Sequence, residues 1–106
     1  MKMIRVLLVC GSGASSGFMA ANIRKAAEKR GIEVSVEARS DSEIDDYIDS
    51  IDCLMIGPHL KYIEAELREK AKPFNVRVAV MDPKYYATLD GEKALEHIMR
   101  LINEKK

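Results

Sequence analysis

The chain has 106 residues and a hydrophobic content of 47%, which suits a single globular domain. Seventeen basic residues balance seventeen acidic ones, and this formal net charge of zero argues against nucleic acid as the main partner. No run approaches the roughly 18 apolar residues that span a bilayer, and the N-terminus lacks the pattern of a secretory signal. We therefore expect a cytoplasmic protein.

Strands and helices alternate along the first part of the chain. The apolar run from Met3 to Cys10 predicts a strand that is buried on both faces, and a loop follows from Gly11 to Ser16. Apolar residues at helical spacing then predict a helix from Gly17 to Arg30, which Gly31 ends. Alternation of polar and apolar residues from Glu33 to Ala38 predicts a half-exposed strand near the edge of a sheet.

The rest of the chain continues the alternation. Ser40 and Glu43 form a capping box, which marks the start of a helix. The elements that follow are a short helix from Ile44 to Ile51, a strand from Asp52 to Gly57, a helix from Leu60 to Ala71, a strand from Val76 to Met81, a turn from Asp82 to Tyr86, and a last helix that Asp90 caps.

Strands that alternate with helices, without a hairpin signal, predict a parallel sheet with right-handed crossovers. For four strands we expect the order 2-1-3-4, a flavodoxin-like α/β fold with helices on both faces and a single domain over residues 1–106. Ligands in such sheets bind outside the carboxyl ends of the strands, at the switch point between the first and third strands. The Cys10 loop lies at that point, and we expect the loops that begin at Gly57 and Asp82 beside it.

Cys10 ends the first strand and is followed by small residues only: Gly11, Ser12, Gly13, Ala14, Ser15 and Ser16. The backbone N–H groups of such a loop, together with the N-terminus of the next helix, form a cradle for an anion. A thiol at that position loses its proton more easily than a free cysteine. Free cysteines are often simply buried, so it is the composition of the loop that favours Cys10 as a nucleophile that carries a phosphoryl group.

Two other functions remain open on these residues. A cysteine phosphatase or arsenate-reductase-like enzyme would place an arginine where Ser16 stands. A flavin- or nucleotide-binding module of flavodoxin type would use the same fold, but the glycines from Gly11 to Gly17 miss the G-x-G-x-x-G spacing by one position. No cysteine or histidine spacing suits a metal, and we expect no cofactor.

Several further residues near the predicted site have either a functional or a purely structural interpretation. Cys53 lies inside an apolar run and is interpreted as a core residue. His59 follows the third strand, where it either contacts phosphate or a partner or is simply solvated. Asp82 is interpreted as a turn former in preference to a general acid. Tyr85, together with its neighbour Tyr86, either packs or shields the site.

Three segments together are typical of one family. They are Leu7-Leu8-Val9-Cys10 with its Gly/Ser loop, Ile56-Gly57-Pro58-His59 with Tyr62, and Val80-Met81-Asp82 before the tyrosine-bearing turn. Through them the chain resembles, over nearly its whole length, the IIB component of the lactose/cellobiose-type branch of the phosphoenolpyruvate-dependent sugar phosphotransferase system. The resemblance also implies a phosphate loop similar to that of low-molecular-weight tyrosine phosphatases.

The resemblance implies a protein-phosphocysteine–sugar phosphotransferase. Cys10 would take a phosphoryl group from a phosphohistidine on a IIA partner and pass it to a sugar bound by the IIC membrane permease, and the loop from Gly11 to Ser16 would hold the phosphate. The implied sugar is a β-glucoside or a related disaccharide. We expect a monomer that forms transient complexes and that the permease recruits to the inner face of the membrane. Docking would use a modest apolar patch, with Ala14, Phe18 and Leu60 as candidates.

Overall fold

The computed structural model describes residues 3–9 and 14–103, with the backbone alone for residues 14–16. The strands are β1 (Ile4–Val9), β2 (Val34–Arg39), β3 (Cys53–Ile56) and β4 (Arg77–Val80). The α-helices are α1 (Ala14–Arg30), α2 (Ile44–Tyr47), α3 (Glu64–Ala71), α4 (Pro83–Ala87) and α5 (Gly91–Asn103), and 3-10 turns cover Asp41–Glu43, Pro58–Ile63 and Lys72–Phe74. No helix in these described ranges has both the length and the apolar character needed to cross a membrane.

The four strands form one parallel sheet in the order β2-β1-β3-β4, which confirms the predicted topology. β1 lies between β2 and β3, and its last residue, Val9, pairs with Arg39 on one side and with Ile56 on the other. β1 and β3 are central because their apolar residues can be buried on both faces. The alternating sequence of β2 places it at an edge, as predicted.

Two hydrophobic cores lie on opposite faces of the sheet. Val6 and Leu8 of β1 point into a core shared with α1 and α5, here called the α1–α5 core. Leu7 and Val9 point into a core shared with α2 and α3, here called the α2–α3 core. This alternation follows from the two-residue period of a strand. Helices therefore cover both faces, as the sequence predicts.

Two arginines cover the outer edge of β2. The carbonyl groups of Val36 and Ala38 face away from β1, where a further strand could pair. Arg24 of α1 donates to the Val36 carbonyl at 2.6 Å, and Arg39 donates to the Ala38 carbonyl at 2.8 Å. Since unpaired edge groups invite strand addition, these contacts protect the edge.

Several element boundaries differ from the predicted ones. α1 begins at Ala14 and not at Gly17, because alanine and serine are compatible with a first helical turn that need not be apolar. The helix predicted from Leu60 to Ala71 is a 3-10 turn followed by α3, since the backbone at Leu60 (φ −111°, ψ 18°) is not helical. α2 stops at Tyr47, four residues short of the predicted Ile51. Gly31 ends α1 in the left-handed region (φ 68°), as predicted.

Candidate active site

The carboxyl ends of the central strands meet at one edge of the sheet. The Gly57 N–H donates to the Val9 carbonyl at 2.8 Å, and the Met81 N–H donates to the Ile56 carbonyl at 2.8 Å. These bonds place the start of the loop after β3 directly beside the last residue of β1. The loop after β4 lies next to it on the other side. Such an edge is where parallel α/β sheets bind their ligands.

The segment from Cys10 to Gly13 lies outside the described residues, but the residues on either side of it are described. It joins Val9, at the carboxyl end of β1, to Ala14, the first residue of α1. The predicted loop residues Ala14, Ser15 and Ser16 belong to the first turn of α1, which contains no acidic residue, while Lys29 and Arg30 lie in the last turn. This distribution of charge follows the helix dipole and leaves the N-terminus favourable for an anion.

His59 lies on a tight turn at the same edge. The Leu60 N–H donates to the Gly57 carbonyl at 2.9 Å, and Pro58 stands at the first helical position, where its missing N–H is not needed. The His59 side chain is exposed, and the centre of its ring lies 6.2 Å from that of Tyr86 at an interplanar angle of 47°. The two rings bring the loops after β3 and β4 into contact.

Asp82 is the N-cap of α4. Its carboxylate accepts from the Lys84 N–H at 2.8 Å, and its carbonyl accepts from the Tyr86 N–H at 3.0 Å. An aspartate in this position satisfies an N–H group that the helix itself leaves unpaired. This geometry is that of the turn former that the sequence favours.

Arg39 also ends its strand at this edge, but its guanidinium is engaged elsewhere. It donates to the Tyr47 hydroxyl at 3.0 Å and to the Glu37 carboxylate at 2.6 Å, and it lies over the Tyr47 ring at 5.2 Å from the ring centre. These contacts hold it beside α2. Arg39 therefore does not take the place of the arginine that a cysteine phosphatase would have at Ser16.

The comparison with known proteins identifies the family. The model of the family described as "PTS system, Lactose/Cellobiose specific IIB subunit" matches residues 5–97. The chain belongs to this family. It is thus a IIB component of a sugar phosphotransferase system, and such components work together with IIA proteins and IIC permeases.

Curated relatives agree with this assignment. The IIB chain is 29% identical over 100 residues to the oligo-beta-mannoside-specific EIIB component of Bacillus subtilis, and the match covers 94% of this chain and 97% of that one. It is 24% identical over 97 residues to the lactose-specific EIICB component of Lacticaseibacillus casei, where the match covers 90% of this chain and 17% of the relative.

Solved structures share the fold of the IIB chain. The lactose-specific IIB domain from Streptococcus pneumoniae superposes with a TM-score of 0.87 at 19% identity, covering 94% of this chain and 98% of that one. The cellobiose-specific IIB protein from Borrelia burgdorferi gives 0.78 at 26% identity, covering 96% and 94%. A YwlE mutant from Bacillus subtilis, with a tyrosine phosphatase-like fold, gives 0.61 at 11% identity, covering 92% and 99%.

Tyr85 of the IIB chain lies in the α1–α5 core, not on the surface of the site. Its hydroxyl and Nδ1 of His97 on α5 share a hydrogen bond of 2.7 Å, and the two rings meet edge to face. Burial raises the pKa of the Tyr85 hydroxyl above its ordinary value. The neighbouring Tyr86, which sequence reasoning did not separate from Tyr85, is the tyrosine that contacts His59.

We expect Tyr85→Phe to lower the free energy of unfolding by about 1 kcal/mol, because it removes the partner of His97 Nδ1 in a part-buried position. Urea unfolding measures the change. Tyr62→Phe is the matched control, since Tyr62 is 77% exposed and its hydroxyl should contribute less than about 0.5 kcal/mol. Equal stabilities for Tyr85→Phe and the wild type would contradict a stabilising role for this bond.

Cys53 lies in the α1–α5 core with no exposed surface, which confirms its interpretation as a core residue. Burial, reinforced by the nearby charge of Asp52, raises the pKa of its thiol to about 12. The reactive thiolate of Cys53 is therefore scarce and inaccessible at neutral pH.

We expect iodoacetamide to modify Cys10 alone in the folded protein, at a pH well below the ordinary thiol pKa of about 8.5. Peptide mapping after a timed reaction identifies the modified residue. Cys53 should react only when the protein is unfolded, because its thiol is buried. Equal reactivity of both cysteines in the folded protein would argue against an activated Cys10.

The exposed apolar residues differ in part from those predicted. Phe18 on α1 is 66% exposed, as a docking residue must be, whereas Leu60 is only 7% exposed and packs in the α2–α3 core. The 3-10 turn after β3 buries Leu60 and turns Tyr62 outward. Leu60 was therefore a wrong candidate for the docking patch, and the side chain of Ala14 lies outside the described residues. Within the described residues, no group of three or more histidine, cysteine, aspartate or glutamate residues could hold a metal ion.

Proposed function

We propose that Cys10 is the nucleophile through which this IIB component carries its phosphoryl group. The observation that carries the proposal is the family match over residues 5–97, which includes Cys10 and the loop from Gly11 to Ser16. The fold supports it, because the segment from Cys10 to Gly13 connects the carboxyl end of β1 to the N-terminus of α1. Parallel sheets bind phosphate groups at such a junction.

The reaction has two displacement steps at phosphorus. The Cys10 thiolate attacks the phosphohistidine of the IIA partner, so that an S–P bond forms, the N–P bond breaks and the imidazole keeps the electron pair. A hydroxyl group of the sugar on the IIC permease then attacks the phosphocysteine. An O–P bond forms, the S–P bond breaks with return of the thiolate, and the hydroxyl proton passes to a base or to water.

The residues around Cys10 suit this chemistry. Phosphoryl transfer depends mostly on position and on stabilisation of charge that is spread over the phosphoryl oxygens. Backbone N–H groups of the loop from Gly11 to Ser16 and the N-terminus of α1 would supply that stabilisation. A thiolate that already exists at neutral pH needs no general base, which fits a loop without histidine or carboxylate.

Partners and location follow from the same proposal. One relative, the lactose-specific EIICB component, carries IIC and IIB in one chain, which supports direct transfer to a sugar at the permease. The sugar would be a β-glucoside or a related disaccharide, a class compatible with the cellobiose-specific and oligo-beta-mannoside-specific relatives. The IIB chain would act as a cytoplasmic monomer that meets the permease at the inner face of the membrane.

Intact mass spectrometry tests the proposal. The protein is incubated with phosphoenolpyruvate, the general phosphotransferase proteins and a IIA protein of this branch, and we expect a gain of one phosphoryl group that maps to the peptide containing Cys10. Absence of any gain with several such IIA proteins would refute the proposal. Hydrolysis of p-nitrophenyl phosphate by the isolated protein would then favour a phosphatase, and a yellow purified protein would favour a flavin module.

A further inference from the structure

A cavity of about 290 Å³ lies where β1, β3 and β4 begin, at the edge of the sheet opposite to the carboxyl ends of the strands. The residues that line it come from the starts of these strands, from the turn before β4 and from the end of α5: Met3, Ile4, Asp52, Asn75, Arg77 and Ile102. Its volume is at the lower end of the range for ligand sites, about 300–1,000 Å³. The cavity therefore suits a small molecule.

One part of the cavity is apolar. Ile4 and Ile102 pack against the α1–α5 core and are only partly buried. Met3 is 47% exposed. These three side chains keep apolar surface in contact with water, and a ligand that covers such surface gains free energy from its burial. The ligand should therefore carry an apolar group.

Asp52 supplies a negative charge in a fixed position. Its carboxylate oxygen Oδ2 accepts from the Arg5 N–H at 2.9 Å and lies 3.7 Å from Arg5 Nε. Its backbone N–H donates to the Arg5 carbonyl at 2.8 Å, and its carbonyl accepts from the Arg77 N–H at 3.1 Å. No described residue donates to Oδ1 of Asp52. This second oxygen can therefore accept a hydrogen bond from a ligand.

Arg77 supplies a positive charge at the same cavity. Its side chain is partly buried, and its guanidinium makes no hydrogen bond or ion pair with any residue in the described part of the chain. Asp52 is included in this statement, so the guanidinium nitrogens lie more than 4.0 Å from the Asp52 carboxylate although the two backbones are bonded directly. A molecule that carries both charges could bridge the two side chains.

We propose that this cavity binds a free α-amino acid with a medium-sized apolar side chain, such as leucine. The ammonium group donates to Oδ1 of Asp52, and the carboxylate accepts two parallel N–H bonds from the guanidinium of Arg77. The apolar side chain of the ligand lies against Ile4 and Ile102. The inference is independent of the proposed role of Cys10, whose segment follows β1 at the other edge of the sheet.

An NMR titration of the isotope-labelled protein with L-leucine tests the inference. We expect saturable shifts of the backbone amides of Ile4, Cys53 and Arg77, and no shifts of comparable size at Gly57 and Met81, which lie at the opposite edge. Isocaproate is leucine without the ammonium group, isoamylamine is leucine without the carboxylate, and glycine lacks the apolar side chain. Each should bind at least about 10-fold more weakly than leucine.

Two variants test the two charged residues. Arg77→Met keeps a long side chain without the charge, and Asp52→Asn keeps an oxygen that can accept from the Arg5 N–H. Each should weaken leucine binding by at least about 10-fold. Arg68→Met is the matched control, since Arg68 belongs to α3 and does not line this cavity, and it should bind leucine as the wild type does.

Three results would overturn the inference. They are the absence of saturable shifts up to the solubility limit of leucine, equal binding of leucine and either singly charged analogue by the wild type, and undiminished binding by either variant in its folded form. The spectrum without ligand shows whether each variant is folded. Because the analogues are compared on the wild-type protein, that comparison decides the matter if a variant does not fold.

Discussion

Cys10→Ser is expected to abolish phosphoryl transfer to the sugar. Serine keeps nearly the same shape, but its hydroxyl stays protonated at neutral pH, whereas a cysteine thiol ionises far more readily, above all at a helix N-terminus. Loss of a catalytic nucleophile in other enzymes lowers rates by as much as about 10⁶-fold, and we expect a loss of at least about 10³-fold here. The assay follows sugar phosphate formation in membranes that contain the IIC permease, with all other components supplied.

Cys53→Ala is the control for this experiment. Cys53 is fully buried in the α1–α5 core, so the substitution should cost roughly 1 kcal/mol of stability by leaving a small cavity, without effect on transfer. Transfer at more than a tenth of the wild-type rate in Cys10→Ser, or its loss in folded Cys53→Ala, would show that the nucleophile lies elsewhere.

Gly91→Ala is expected to lower the free energy of unfolding by about 3 kcal/mol, the upper part of the range for overpacking. Gly91 begins α5, and a Cβ atom there would lie 2.3 Å from both the carbonyl carbon and the carbonyl oxygen of Asn22 on α1. These are backbone atoms, so a side-chain rotation cannot relieve the clash. The Asn22 side chain also donates to the Leu89 carbonyl at 2.8 Å, which holds α1 against the chain that leads into α5. Urea unfolding at equilibrium measures the loss.

Gly17→Ala, on α1, provides the opposite case. A Cβ at Gly17 would have no atom within 4 Å, and the residue is exposed within α1. We expect a gain of up to about 1 kcal/mol, because alanine loses less backbone freedom than glycine in a helix. A loss below about 1 kcal/mol in Gly91→Ala would mean that α5 can move away from α1 at little cost.

The positions of β1 and β2 in the sheet could be predicted from local patterns, because the apolar residues of a strand indicate whether it is buried on one face or on both. The apolar residues from Val6 to Val9 require burial on both faces, which places β1 in the centre, and the alternation in β2 requires an edge. The exact first and last residues of the helices were harder to predict from the sequence. Ala14 and Ser15 suit a loop and a first helical turn equally well, and the change of backbone angles at Leu60 depends on packing below the turn.

The family of this chain, its sheet order and its candidate nucleophile can all be inferred from patterns of residues that are close together in the sequence. Cys10 is a candidate because the six residues after it are all glycine, serine or alanine, a composition that favours an anion-binding loop. Three other features became apparent from the folded structure: Tyr85 and not Tyr86 is buried, Leu60 packs inward, and the His59 ring contacts Tyr86. These outcomes depend on residues far apart in sequence that the sheet and its two cores bring together, and no local pattern encodes such contacts.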